Sequence, residues 1–400
     1  MDELRQWLGR ARELGRDRFL PRAAEIDREG RFPTENFADL AAAGFLGLTI
    51  PTAYGGAGID YAGYARISAE LGYWCGATAL TFNMHTATML WSGLVADQLP
   101  MTAVQRQQHH ERRAAVYAGV IEEHHLFAQP FSEPDSAAAA GKAPFGTTAT
   151  PVDGGYLVNG LKHFASLSGH ANFYGVLCTL QGDAAPSASN TVYLAVPGDA
   201  PGFTVFGDWD VLGMRGTHSK NLRFEDVFVP THKEMLPTGL YYQAARDWPH
   251  MFMTLAPTYL GLARAAFGFT CQYLNGRLEG GPPAGAALQQ PVKQLTVAQM
   301  RLKLEQAEAL FERAIGDAGH APGVSGRLRA YAAQYTIMEY ANEICREAVR
   351  VCGGRSMFRH LRLEQLYRDS RCGSLMLPWT PDICLERLGA ESLKDPEAFP

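Results

Sequence analysis

Tyr156-Leu-Val-Asn-Gly160, Phe173-Tyr-Gly-Val-Leu-Cys178, Thr191-Val-Tyr-Leu-Ala-Val196, Phe203-Thr-Val-Phe206 and Leu222-Arg-Phe-Glu-Asp-Val-Phe-Val229 decide the fold class. Each run is short and rich in β-branched and aromatic side chains, which suit a pleated, half-buried surface. Asp153-Gly-Gly155, Gly182-Asp183 and Pro201-Gly202 separate them with turn residues. The pattern predicts a small antiparallel β domain of roughly 110 residues. It opens near Phe127 and closes at Pro230.

Both flanks read as helix. On the N-terminal side Leu4, Leu8, Ala11 and Leu14 recur at helical spacing, as do Phe37, Leu40, Ala41 and Phe45. Residues 60–74 and 78–94 predict two more helices, the second so apolar that it belongs in the interior. On the C-terminal side helical spacing runs over 249–277, 295–318 and 328–351, which predicts a bundle. Thr380 can cap a last helix, with Pro381 at its first position and Gly389 just past its end. The class is therefore α+β in three parts: a helical domain over 1–122, a β domain over 123–236 and a helical bundle over 237–400.

Composition narrows the function. A formal net charge of −5 offers no long-range pull on nucleic acid or anionic lipid. No run approaches the roughly 20 apolar residues that span a bilayer, and residues 1–31 carry charges where a signal peptide would be apolar. Seven cysteines, an odd number, form no Cys-x-x-Cys pair. They predict buried thiols in a reducing cytoplasm, with neither a disulfide framework nor a metal site. His124 and His125 lie beside Glu122 and Glu123, but adjacent side chains diverge, so no metal centre is expected there.

Motifs sharpen the reading. Phe127-Ala-Gln-Pro-Phe131-Ser132-Glu133-Pro134 is followed by Gly155-Tyr-Leu-Val-Asn-Gly-Leu-Lys162-His-Phe164-Ala-Ser166. Gly213-Met-Arg-Gly-Thr-His-Ser219, Phe224-Glu-Asp-Val-Phe-Val-Pro230, Gly261-Leu-Ala263, Gly353-Gly354 and Tyr367-Arg368-Asp369 come after. In this order, from about Leu40 to Gly389, they resemble the acyl-CoA dehydrogenase family of flavoproteins.

That resemblance implies a flavin between the β domain and the rear helices, and an acyl thioester substrate on coenzyme A or a carrier protein. It also implies a homodimer or homotetramer, with an electron-transfer flavoprotein or oxygen as electron acceptor. By resemblance, Phe131 and Ser132 offer the flavin a backbone and hydroxyl edge. Phe164 lies along the ring and Ser166 approaches N5. Gly353 and Gly354 let the bundle come close to the dinucleotide, often that of a neighbouring subunit. Taken alone, the residues also admit a plainer reading, a strand with its Ser wet and its Phe in the core. Three departures leave FMN open beside FAD. Ala138 stands where the family has a serine, Arg277-Leu-Glu-Gly-Gly lacks the family's aromatic, and the downstream glutamine is shifted to Gln290 or lost.

The largest departure concerns the base. Most of the family carries a glutamate ten places after this Tyr, where it removes the substrate α-proton; here that position is Leu377. The alternative family position, in the first helix of the bundle, aligns with Met251, and neither side chain accepts a proton. His250 is the candidate catalytic residue, with Asp247 nearby; the plainer reading of His250 is a partly exposed residue at a helix start. The Leu377 N–H still offers a donor to a thioester carbonyl, since Pro378 removes only the next one. Trp379 narrows the cavity toward a small substrate.

Flavin monooxygenases and N-oxygenases of this fold resemble the chain too, and they dispense with the glutamate. For that chemistry His85 is the candidate near N5, against a core histidine satisfied locally. Arg368 and Asp369 predict a structural pair between subunits or helices. The lead expectation is an acyl-CoA dehydrogenase-like oxidoreductase with an altered base or reaction. The alternatives are an oxygenase and a flavin-binding protein with a degraded site.

Overall fold

The structure is a computed structural model in which residues 2–135, 144–182 and 185–394 are described. Ala138 lies outside them. The helical front comprises α1 (Asp2–Leu14), α2 (Leu20–Glu29), α3 (Thr34–Ala42), α4 (Tyr61–Trp74), α5 (Gly76–Leu90) and α6 (Ala103–Glu122). Caps fix where two of them begin: Asp60 Oδ1 accepts the Gly63 N–H at 2.7 Å before α4, and Thr102 and Gln105 form a reciprocal box on α6. The apolar α5 is almost wholly buried, and a π turn (Trp91–Val95) extends it.

Among the described residues the sheet has eight strands. They are β1 (Phe127–Ala128), β2 (Thr148–Val152), β3 (Gly155–Ala165), β4 (Phe173–Leu180), β5 (Thr191–Pro197), β6 (Phe203–Phe206), β7 (Lys220–Pro230) and β8 (Glu234–Leu236). Their order is β6-β7-β3-β2-β4-β5-β8, with β1 beside β4. The sheet is mostly antiparallel, as expected, with two parallel pairings. The tight turn at Asp153-Gly154 returns β3 antiparallel to β2, and β2 then lies parallel to β4, as β1 does.

Behind the sheet stand α7 (Tyr241–Asp247), α8 (Ala256–Leu274), α9 (Pro291–Gly316), α10 (Gly323–Cys352), α11 (Leu363–Gly373) and α12 (Pro381–Lys394). The continuous helix expected from Pro249 is broken. Trp248 before Pro249 leaves helical geometry, a 3₁₀ turn covers Pro249–Met253, and α8 starts with Pro257 in its first turn. At the far end, Thr380 Oγ1 accepts the Ile383 N–H at 3.5 Å, as the cap expectation required. Gly389 does not end α12, which runs on to Lys394. A helix packed along α10 absorbs the roughly 1 kcal/mol that an interior glycine costs.

Helices α4 and α8 cross closely because glycines face each other's backbones. A Cβ on Gly261 would stand 2.4 Å from Ala69 O, and one on Gly72 would stand 2.6 Å from Thr258 O. No described helix is long and apolar enough to cross a membrane.

Candidate active site

The Ser132-Glu133 corner is anchored to β3. His163 N donates to Ser132 O at 2.9 Å, so Ser132 lies beside the residue before Phe164. Glu133 meets Lys162 at 2.6 Å, and Lys162 is 0% exposed. Glu133 also accepts the Gly146 and Thr147 N–H groups at 2.6 and 3.0 Å, and Lys162 donates to Leu177 O at 2.8 Å. Burial works against both charges. Coulombic attraction and hydrogen bonds nevertheless hold the Glu133 carboxyl below its usual range, while burial draws Lys162 down. Sequence reasoning missed this pair, although each partner sits inside a quoted motif.

Phe164 is not a core residue. It is 69% exposed, has φ +52°, and touches the Trp209 ring edge-on at 6.2 Å. The cause lies in the β3–β7 ladder, whose register shifts between Lys162 and Ala165 and turns the ring out of the sheet. Two residues on, Ser166 is buried and shares a hydrogen bond of 2.8 Å with Ser219. Ser219 Oγ lies 2.7 Å from Thr217 Oγ1, whose hydroxyl donates to Met214 O at 2.9 Å.

Phe131, half-buried, packs edge-on to Tyr193 and Tyr241 at 5.9 and 5.7 Å. Rings continue from there: Tyr241 to Trp91, Trp91 to Phe252, and Phe252 to the buried Trp379, which lies 4.4 Å from Tyr331. The structure thus joins Phe131 of the β domain to Trp379 of the bundle through one aromatic chain. Leu377 is half-buried, and its N–H makes no hydrogen bond to a described residue.

Gly353 and Gly354 stand apart. Both are exposed, Gly353 has φ +81°, and no described atom lies within 4 Å of a Cβ built on either. Tyr331 and Gly353 are 22 residues apart on α10 and its cap, about 33 Å along a helix axis. Within one chain these glycines do not meet the Phe131–Trp379 region.

His250 departs from the expected partly exposed residue. It is fully buried, with Tyr61 of α4 edge-on to its ring and α10 packed on its turn, and neither ring nitrogen has a hydrogen-bond partner among the described residues. Burial lowers its pKa to about 4, so the ring is neutral at neutral pH. His85 is the opposite case: Nε2 lies 2.9 Å from Leu46 O and Nδ1 accepts the Phe127 N–H at 3.2 Å. Both its nitrogens are engaged, and burial lowers its pKa to about 4. It is a satisfied core histidine that ties α5 to β1.

Arg368 and Asp369 form a junction of three parts of one chain. Arg368 grips Asp27 of α2 through both carboxylate oxygens at 2.9 and 2.5 Å, and also bonds Leu212 O and Glu364. Asp369, fully enclosed, accepts the Met214 N–H at 2.5 Å. Burial first, then the charge of Asp27, raises its pKa to about 7. His125 meets Glu123 at 3.3 Å, and no group of three metal-ligating residues occurs among the described residues.

Comparison with known proteins gives this geometry a family. Sequence profiles of the N-terminal, middle and C-terminal domains of acyl-CoA dehydrogenase match residues 1–96, 128–227 and 239–377. The chain belongs to the acyl-CoA dehydrogenase family. It is 27% identical over 363 residues to the human mitochondrial short-chain specific acyl-CoA dehydrogenase, covering 90% of this chain and 83% of the relative. To the L-evernosamine nitrososynthase of a Micromonospora species it is 28% identical over 391 residues, 94% of this chain and 87% of the other. Among solved structures, FMN-bound TdsC, a dibenzothiophene monooxygenase of Paenibacillus sp. A11-2, superposes with a TM-score of 0.82 at 23% identity over 97% of each chain.

Members of this family are flavin-dependent oxidoreductases, and the residues present fit a flavin. The Gln129 amide nitrogen, just before Phe131, is buried without a hydrogen-bond partner, a donor suited to a ring oxygen. Phe164 presents an aromatic face outward, and Ser166 ends a hydroxyl chain beside it.

Proposed function

We propose that this protein is a flavin-dependent monooxygenase of the acyl-CoA dehydrogenase fold, acting on a small substrate without a side-chain base for an α-proton. The observation that carries this reading is the motif spacing, which puts Leu377 where the family's base is expected and Met251 at the alternative place, with His250 buried and neutral next to Met251. A bound flavin supplies two-electron redox chemistry and, when reduced, reactivity with oxygen. The chain's own residues position and shield it. Phe131, Ser132 and Phe164 would border the ring, Ser166 would address its N5 edge, and the Trp91–Phe252–Trp379 rings would exclude water and limit substrate size. The nitrososynthase and monooxygenase relatives support the same class.

A second reading, oxidation of an acyl thioester, is favoured by one observation: the unengaged Leu377 N–H is placed to bond a carbonyl oxygen. Anaerobic mixing with acyl-CoAs from four to sixteen carbons separates the two. The oxygenase reading expects no bleaching of the flavin near 450 nm and oxygen-dependent turnover once the flavin is reduced. Bleaching within the mixing time would overturn it in favour of the thioester.

FAD is the proposed cofactor. The open Gly353-Gly354 turn supports it, since that backbone is free for a neighbouring subunit's dinucleotide to approach. Cofactor release and chromatography would reveal FMN if it were bound instead. Exposed Val292, Leu295 and Leu302 along α9, and Met357 with Phe358, support a homodimer or homotetramer. Seven free thiols support a reducing cytoplasm, and an electron-transfer flavoprotein is the acceptor only under the thioester reading.

A further inference from the structure

The loop after Gly213 fixes which way the hydroxyl protons beside Ser166 point. A carbonyl oxygen can only accept, so the Thr217 hydroxyl uses its single proton on Met214 O at 2.9 Å. Thr217 Oγ1 must then receive the Ser219 proton across 2.7 Å, and Ser219 Oγ must receive the Ser166 proton across 2.8 Å. Thr217, Ser219 and Ser166 are 1%, 6% and 8% exposed, so water does not readily substitute for any link.

The anchor of the chain is held on every side. Met214 N donates to Asp369, and Met214 O also receives Trp209 Nε1 at 3.3 Å and the Thr217 N–H at 3.0 Å. Backbone bonds from Leu167 N to Thr217 O and from Ser168 N to His218 O keep the end of β3 against the loop.

We propose that Thr217 and Ser219 are positioning residues that commit the Ser166 proton inward, so that Ser166 presents a lone pair to the flavin and favours its reduced form. This rests on the reading that a flavin occupies the site with N5 toward Ser166. Oxidised N5 is a hydrogen-bond acceptor and meets Ser166 lone pair to lone pair. After two-electron reduction N5 carries a proton and can donate to that lone pair. The chain therefore sets redox poise without touching the flavin beyond Ser166, and it keeps the reduced state available to an external oxidant.

The test is the midpoint potential of the flavin-loaded protein, read by dye-coupled reduction at pH 7, for wild type, Ser219→Ala, Thr217→Val and Ser166→Ala. Removing Ser219 or Thr217 frees the Ser166 proton to point at N5. Both variants are expected to shift the reduced-to-oxidised equilibrium toward oxidised by about tenfold, about 30 mV for a two-electron couple. Ser166→Ala removes the contact altogether and falls between them and wild type. Ser219→Cys, with a weaker donor, moves the same way by less and stands in if Ser219→Ala fails to fold. A yellow protein in which Ser219→Ala and Thr217→Val change the equilibrium less than about twofold, or favour reduction, overturns this inference alone. A colourless wild type that takes up neither FAD nor FMN overturns the flavin reading and this inference with it.

Discussion

Replacing Asp369 by Asn should stabilise the protein at alkaline pH and flatten its stability profile. The carboxyl is fully enclosed where α11 meets the Met214 loop, and its pKa stands at about 7. Around it lie Asp27 of α2, Arg362, Glu364 and Arg368 near and on its own helix, Cys75, Cys345, Cys372 and Tyr259. Arg368 does not neutralise it, because that guanidinium is taken by Asp27 and Glu364.

The sign follows from linkage. A carboxyl whose folded pKa exceeds its unfolded value binds its proton more tightly in the folded chain. Its contribution is therefore fully present below about pH 4, declines from there to about pH 7, and is lost above. The separation from an ordinary aspartate, about three pH units, corresponds to about 4 kcal/mol. Asn keeps the oxygen that accepts the Met214 N–H and carries no charge.

At pH 8 Asp369→Asn should therefore gain up to about 4 kcal/mol, less the extra strength of a charge-assisted bond, about 1 kcal/mol. For a chain of 400 residues that is a rise in Tm of about 4 °C. At pH 4 the two proteins should melt together. Calorimetry at matched scan rates across pH 4–8.5 reads this directly. Parallel pH profiles, or an Asn variant that melts lower at pH 8, would refute the reasoning. Asp369→Leu is the control: it orphans the Met214 N–H and should melt lower at every pH.

Two other substitutions follow from the same geometry. Lys162→Met leaves Glu133 buried beside no cation and should cost about 3–5 kcal/mol in urea unfolding, with Glu133→Gln on that background recovering much of the loss. A full loss persisting in the double variant would show that the strands, not the charge, suffered. The two buried histidines should part company. His85→Leu strips partners from Leu46 O and Phe127 N and should cost about 2–4 kcal/mol, whereas His250→Leu removes no hydrogen bond and should leave Tm unchanged or higher. Equal losses at both positions would argue that His250 has a partner.

The sequence made the three-part order legible because helical and strand periodicities alternate in long blocks, and because turn residues frame five of the strands. It hid β2, whose Thr148-Ala-Thr-Pro-Val run is short and interrupted by Pro151, a residue that normally argues against a strand. Lys162 was unreadable for a different reason. A lysine in a strand reads as solvent-facing, and the Glu133 that permits its burial lies 29 residues upstream. Phe164 is legible as a site candidate by motif, but its outward turn is not, because a register shift in a ladder leaves no mark in the residues that carry it. The burial of His250 is not legible because its environment comes from Tyr61 of α4 and from α10, both distant in the chain. Backbone-level site features thus stayed invisible, while residue types at motif spacing did not.

The same contrast explains why the family's scaffold does not depend on the residue at position 377. What holds the three parts together is Arg368 on Asp27 and Asp369 on the Met214 N–H, while Lys162 on Glu133 braces the β domain from within; all are buried or half-buried and none is required to exchange a proton with substrate. Leu377 lies eight residues beyond Asp369, past the end of α11 in a segment without regular structure. Substitution there leaves every one of those contacts in place. A carboxylate at that point is a chemical choice that the fold neither demands nor forbids. What the fold does dictate is the Met214 loop, which the Asp369 contact orients and which in turn orients Ser219 and Ser166. In this chain the scaffold therefore reaches the candidate flavin edge through hydroxyls on a fixed loop.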